Sequence, residues 1–124
     1  MSSRNFEING LDNILNNFNN IQNNFPRELQ RLVDKHGGIL LRNVKQRTPV
    51  DTGQLRRSWE LEKGDLYIKL FNRTEYGLHV EYGHRTRGGR SYIEGVYMLK
   101  IPFERQKEKF LDELEGLLRR YGFR

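Results

Sequence analysis

The chain has 124 residues, 35% of them hydrophobic and 31% charged, and its 22 Lys and Arg outweigh 16 Asp and Glu to give a net charge of +6. That length suits one domain, residues 1–124, with a modest core. The absence of cysteine excludes a disulfide framework and any thiolate metal site, and no apolar run approaches the ~18 residues of a membrane span. Met1 to Gly10 contains no apolar stretch of the kind a signal peptide needs, and is expected to be a flexible N-terminus.

Leu11, Ile14, Leu15, Phe18, Ile21 and Phe25 recur at spacings of three and four, the mark of one apolar helical face. Seven asparagines stand between Asn13 and Asn24. Asn is a poor helix former, so this helix needs a partner surface to hold it. Pro26 is expected to interrupt it, with Asn24 as N-cap of a second helix running to about Arg47. Leu29, Leu32, Val33, Leu40 and Val44 give that helix an inner face. Gly37-Gly38 weakens it by about 1 kcal/mol per glycine relative to alanine, which suggests a close approach by another element. His36 shares the inner face and fits a buried, hydrogen-bonded imidazole better than a ligand.

Pro49 fixes its own φ and moves Thr48 out of the α region, ending the helix near Arg47. In Thr48-Pro49-Val50-Asp51-Thr52-Gly53, the side chains of Asp51 and Thr52 can bond nearby backbone N–H groups, and Gly53 can take a positive φ. The stretch is therefore a defined turn, with Leu55 and Trp59 returning the chain to apolar packing. A single Gly without a following Lys-Ser/Thr does not make a phosphate loop.

Arg56 to Glu62 and Leu66 to Asn72 are expected to form a hairpin around Lys63-Gly64-Asp65. Leu66, Ile68 and Leu70 share one face of the second strand, and Tyr67, Lys69 and Phe71 the other. Glu75 to Tyr82 suits a short helix ended by Gly83. His84 to Arg90 has three arginines, two glycines and no acid or apolar residue, and is expected to be a flexible basic loop. A strand over Ser91 to Gly95 and a helix from about Tyr97 or Pro102 to Tyr121 complete the chain. Phe103, Phe110, Leu111, Leu114, Leu117, Leu118 and Tyr121 supply the stripe of that last helix. The expected class is α+β: an N-terminal helical segment, a small antiparallel sheet with a short inserted helix, and a C-terminal helix packed on the sheet.

Two segments stand out together: Thr48-Pro49-Val50-Asp51-Thr52-Gly53-Gln54-Leu55-Arg56-Arg57-Ser58-Trp59, and Tyr76-Gly77-Leu78-His79-Val80-Glu81-Tyr82-Gly83-His84. In combination they resemble the small tail-completion, or head–tail joining, proteins of long-tailed bacteriophages. The resemblance runs from about Leu29 to Tyr121 and leaves out the Asn-rich start. The lead into the last helix, Gly95-Val96-Tyr97-Met98-Leu99, also departs from the family pattern. What the resemblance implies is a subunit without catalytic activity or cofactor, acting in the virion at the head–tail junction after assembly in the host cytoplasm. Its implied partners are other neck and tail proteins, namely a head–tail connector, a tail terminator or a tail tube. It also implies self-association in a ring around the DNA channel, commonly sixfold.

The residues leave two other classes to weigh. His79, Glu81 and His84 superficially suggest a metal site, but positions five apart do not form a helical His pair. Glu81 is better placed as a structural carboxylate that could cap the Thr48–Gly53 turn or pair with Arg56 or Arg57, bringing the two motifs into contact. A nucleic-acid binder is the alternative function. Arg42, Lys45, Arg47, Arg56 and Arg57, with Arg85, Arg87 and Arg90, could meet phosphates, and Tyr82 and Tyr92 could stack on bases. The loop arginines Arg85, Arg87 and Arg90 are the candidate partner-binding residues on either account.

Overall fold

A computed structural model of the chain describes residues 2–50 and 53–123, those before Leu15 by their backbone alone. The long helix α1 spans Ser2–Arg47 and is continuous through Pro26. The expected break there does not occur. Pro26 has no N–H to offer the carbonyl of Gln22, but side chains brace the turn. Arg27 Nη2 donates to Asn24 Oδ1 at 3.1 Å, Arg27 Nε to the Asn23 carbonyl at 3.4 Å, and Asn24 Nδ2 to Asn20 Oδ1 at 2.5 Å. Asn24 is thus an interior brace and not a cap. Phe25 anchors the same turn by packing edge-on against Tyr121, with ring centroids 5.3 Å apart.

The turn of helix α2, Gln54–Arg57, leads into strands β1, Trp59–Gly64, and β2, Tyr67–Asn72. These pair antiparallel from Trp59 opposite Asn72 to Gly64 opposite Tyr67. The hairpin turns at Asp65-Leu66, one residue later than expected, with Leu66 at a φ of 60°. Gly64 is needed inside the strand instead, because a Cβ there would lie 1.8 Å from the Tyr67 ring. Gln30 of α1 steadies the turn by accepting the Leu66 N–H at 2.7 Å. The faces of β2 fall as the alternation predicts, with Ile68 and Leu70 turned toward α1.

Helix α3 spans Gly77–Tyr82, and β3, Gly83–Arg85, pairs antiparallel with β4, Tyr92–Glu94. The chain therefore carries two separate two-stranded sheets and not one. The segment expected as a loop over 84–90 is a hairpin. Thr86 N–H donates to the Ser91 carbonyl at 2.8 Å, and Gly89 N–H to the Thr86 carbonyl at 2.8 Å. Gly83, at φ 87°, is obligatory, since a Cβ would fall 2.3 Å from the Ile93 carbonyl oxygen.

The last helix, α4, spans Lys100–Arg120. The chain is α+β as expected, but α4 takes its contacts from α1 and not mainly from a sheet. Polar links between the two helices explain the choice: Gln106 bonds His36, Lys35 bonds Glu113, and Tyr121 donates to Glu28. Phe103 and Leu111, expected on the inner stripe, are exposed, while Pro102 and Gln106 are buried. The core lies where α1, α2, β1 and the lead into α4 meet: Leu40, Val44, Leu55, Trp59 and Met98, flanked by Leu41, Leu70, Val80 and Leu99. Burying each such side chain is worth roughly 1.5–3 kcal/mol.

Candidate functional site

Thr48 ends α1 and is only 2% exposed. Its backbone N–H still reaches the Val44 carbonyl at 3.0 Å, and its hydroxyl donates to the same oxygen at 2.6 Å. The hydroxyl oxygen then accepts the indole N–H of Trp59 at 2.8 Å. One side chain thus closes the helix and fixes the start of β1. Pro49 and Val50 are exposed, and Asp51 and Thr52, both expected to shape the turn, lie outside the described residues. Gly53 has the positive φ expected of it, 81°, and its carbonyl accepts the Arg57 N–H at 3.0 Å to start α2.

The second motif builds a different joint. Glu81 is 6% exposed. Its two carboxylate oxygens accept the backbone N–H groups of Leu99 and Lys100 at 2.8 and 2.9 Å. These are donors that the first turn of α4 cannot satisfy within itself, and a carboxylate also suits the positive end of a helix. Glu81 therefore caps α4, and among the described residues it pairs with neither Arg56 nor Arg57 and bonds no part of the Thr48–Gly53 turn. The reason is reach: α3 runs beside the lead into α4, where the Val96 and Tyr97 N–H groups bond the Val80 and Glu81 carbonyls at 2.8 and 3.1 Å. Gly95 permits that approach, since a Cβ would stand 2.2 Å from the Glu81 carbonyl oxygen. The two motifs meet through the core, where Val80 packs against the cluster containing Leu55 and Trp59.

Several joint-makers give little sign in the sequence. Arg47 Nε reaches the Val96 and Tyr97 carbonyls at 3.2 and 3.0 Å, and Arg56 Nε the Lys45 carbonyl at 2.8 Å. Two cations proposed for phosphate contact are therefore engaged with backbone. Asn72 donates to the Leu55 carbonyl at 2.9 Å and accepts from the Thr74 N–H and hydroxyl at 2.9 and 2.6 Å. The Asn-Arg-Thr spelling was the available signal: it is an Asx turn. Met98, 1% exposed, lies in a stretch with no periodicity to betray it.

Arg85, Arg87 and Arg90 stand exposed on and around the tip of the β3–β4 hairpin, and no ion pair holds any of them among the described residues. Tyr82 and Tyr92 flank its base, with the Tyr92 hydroxyl donating to the Tyr82 carbonyl. His79 and His84 face each other edge-on at 5.3 Å. The described residues hold no group of three His, Asp or Glu side chains placed to bind a metal ion.

Along the α1/α4 seam, His36 is buried as expected. Its Nδ1 lies 2.5 Å from Gln106 Nε2, which puts the imidazole proton on Nε2, 3.3 Å from Glu113 Oε1. The Lys35 ammonium bonds both Glu113 oxygens at 2.9 and 3.0 Å and holds that carboxyl below its ordinary range. The Tyr121 hydroxyl donates to Glu28, and the bond with that carboxylate raises the phenol above its usual value. These are links between helices, not an arrangement of nucleophile, base and oxyanion donors.

The model of a family described as "Bacteriophage HK97-gp10, putative tail-component" matches residues 12–83. The chain belongs to this HK97-gp10-like family. The matched span takes in both motifs, the whole of β1–β2, and the Asn-rich stretch of α1 from position 12 onward. The family is one of phage tail components, and the protein is accordingly a virion structural protein. Neither the curated proteins nor the solved structures compared with it gave a match. No helix of the described residues is long and apolar enough to cross a membrane.

Proposed function

We propose that this HK97-gp10-like protein completes the phage tail and joins it to the head, as one subunit of a ring, commonly sixfold, around the DNA channel, and that it has no enzymatic activity. The observation that carries this reading is the use made of the two motifs. Their residues spend their chemistry on joints within the subunit: Thr48 on the end of α1, Glu81 on the start of α4. What remains for function is a surface, and its most distinctive part is the arginine-tipped β3–β4 hairpin. Arg85, Arg87 and Arg90 have forked donors suited to carboxylates or phosphates. In the assembled particle they would meet an acidic neighbouring ring or the DNA itself.

The test is in vitro complementation. Lysates of a phage lacking this gene should contain DNA-filled heads and separate tails that want only their completing subunits, and added protein should join them. Replacing the three arginines by Ser should leave the melting temperature unchanged and abolish joining. Normal joining by the triple variant would reduce the hairpin to solvated surface. Loss of tails altogether in the gene's absence would move the protein to an earlier assembly step. Titrating salt separates phosphate contact, which weakens steeply, from a protein interface with an apolar centre, which does not.

A further inference from the structure

The seam between α1 and α4 continues past the end of α4. Leu11, Phe18, Phe25 and Leu32 are seven apart, and Ile14 and Ile21 form the companion series, so one face of α1 carries a sustained heptad pattern. Over its later part that face is covered within the chain. Leu32 is buried, and Phe25 packs on Tyr121 and Phe123 with centroids 5.3 and 5.9 Å away. α4 ends at Arg120, level with Glu28, and beyond it the face is bare: Leu15 is 51% exposed and Phe18 64%.

We propose that this face of α1, whose apolar series runs in the sequence from Leu11 to Ile21, is a self-association surface whose occupant is the same segment of a second copy. The first argument is continuity. The pattern is that of a helix seam, and its covered half already accepts a helix. The second is stability. Seven asparagines make this segment a weak helix former, and an unsupported helix of such length is marginal in water. The third is charge. From Asn13 to Phe25 there is no charged residue, in a chain of net charge +6. An acidic or basic partner finds nothing to pair with there, and two like copies do not repel. The flanking amides, each both donor and acceptor, complement themselves when the face meets its own copy.

Four or five large apolar side chains from each copy would bury on the order of 1,000 Å² in total, the lower edge of a specific interface. The association is therefore reversible and concentration-dependent. The inference rests on the assembly reading only in that copies must meet; a like-to-like pairing of this face is two-fold and is distinct from the head-to-tail contact that closes a ring.

Sedimentation velocity of the free full-length chain tests it. The wild type should pass from monomer to dimer with a Kd between about 1 and 100 µM. Phe18→Asp should raise that Kd at least about tenfold with the melting temperature of the body unchanged. Phe103→Asp, at an exposed apolar site on α4, should leave it unaltered. If Phe18→Asp fails to fold, Leu15→Asn is read by the same criterion. A wild type that stays monomeric throughout, a Phe18 variant that associates normally, or equal weakening by the Phe103 control overturns the proposal. A chain that self-associates as described yet never restores head–tail joining fails the assembly role and leaves the surface standing.

Discussion

Adjacent glycines in α1 should respond to the same substitution with opposite signs. Gly38 has open space around it: a Cβ would meet nothing within 4 Å. Gly38→Ala should therefore gain the helix-propensity difference of about 1 kcal/mol, or ~3–6 °C in melting temperature for a chain of this size. At Gly37 a Cβ would stand 2.0 Å from Ile68 Cδ1, 3.1 Å from Cγ2 and 3.2 Å from Cγ1. Turning Cδ1 aside about χ2 relieves the worst contact but not the other two, which move only if the β-branched side chain leaves its χ1 well. Overpacking of this kind costs about 1–3 kcal/mol, and the propensity gain offsets about 1 of it, so Gly37→Ala should lose up to ~2 kcal/mol. Ile68→Ala removes all three opposing atoms. In a double-mutant cycle followed by thermal and urea melts, the pair should show a favourable coupling of about 1–3 kcal/mol. If Gly37→Ala stabilises as much as Gly38→Ala, the close approach of the hairpin to α1 is wrong.

Thr48→Val keeps the side-chain volume but orphans the indole N–H of Trp59, at a cost of about 1–3 kcal/mol. The loss should largely vanish in a Trp59→Phe background, which has no donor to orphan, and the melts check both. Glu81→Ala removes the acceptor for two N–H groups of α4 and should lower stability by about 0.5–2 kcal/mol; an unchanged melt would assign Glu81 to a partner instead. The depressed Glu113 carboxyl contributes stability that is present above its unfolded pKa and lost as pH falls through the folded value. Glu113→Gln should therefore lower stability slightly at pH 7, by an amount limited by the exposure of the Lys35–Glu113 pair, and flatten the acid limb below roughly pH 4.3, where the wild type loses the same contribution. Tyr121 has the opposite sense: its folded pKa is raised, so its contribution holds below about pH 10 and is lost as pH climbs through the folded value. Ultraviolet titration of Tyr121→Phe should accordingly lose one phenol that ionises above the usual tyrosine value.

The fold class, the end of α1 near Arg47, the sidedness of β2 and the approach at Gly37 were all legible because each follows from local rules: a proline, an alternation, a glycine in a helix. Pro26 misled because its local penalty is offset by contacts that only the fold supplies, the packing of Phe25 on Tyr121 and Phe123, together with the Arg27–Asn24 brace. The partner of Glu81 was not legible either. Its chemistry, a carboxylate seeking N–H donors, was readable, but which N–H groups lie within reach depends on the path from Gly95 to Leu99, where no periodic pattern guides a prediction. The hairpin over 84–90 hid for a similar reason, since strands of three residues carry too few alternations to register. Its arginines were identified as exposed cations by composition alone.

The continuity of α1 through Pro26 also has a mechanical side. From Ser2 to Pro26 the helix is a rod about 36 Å long at 1.5 Å per residue, attached to the body at a turn that lacks one backbone hydrogen bond. A rod softened at its base is a lever. A change of 10° at Pro26 sweeps the far end through roughly 6 Å, about one helical turn, while the joints at Thr48 and Glu81 stay undisturbed. Proline thus gives the subunit one soft bearing in an otherwise stiff beam, so that the tip can find its mate without any cost to the core.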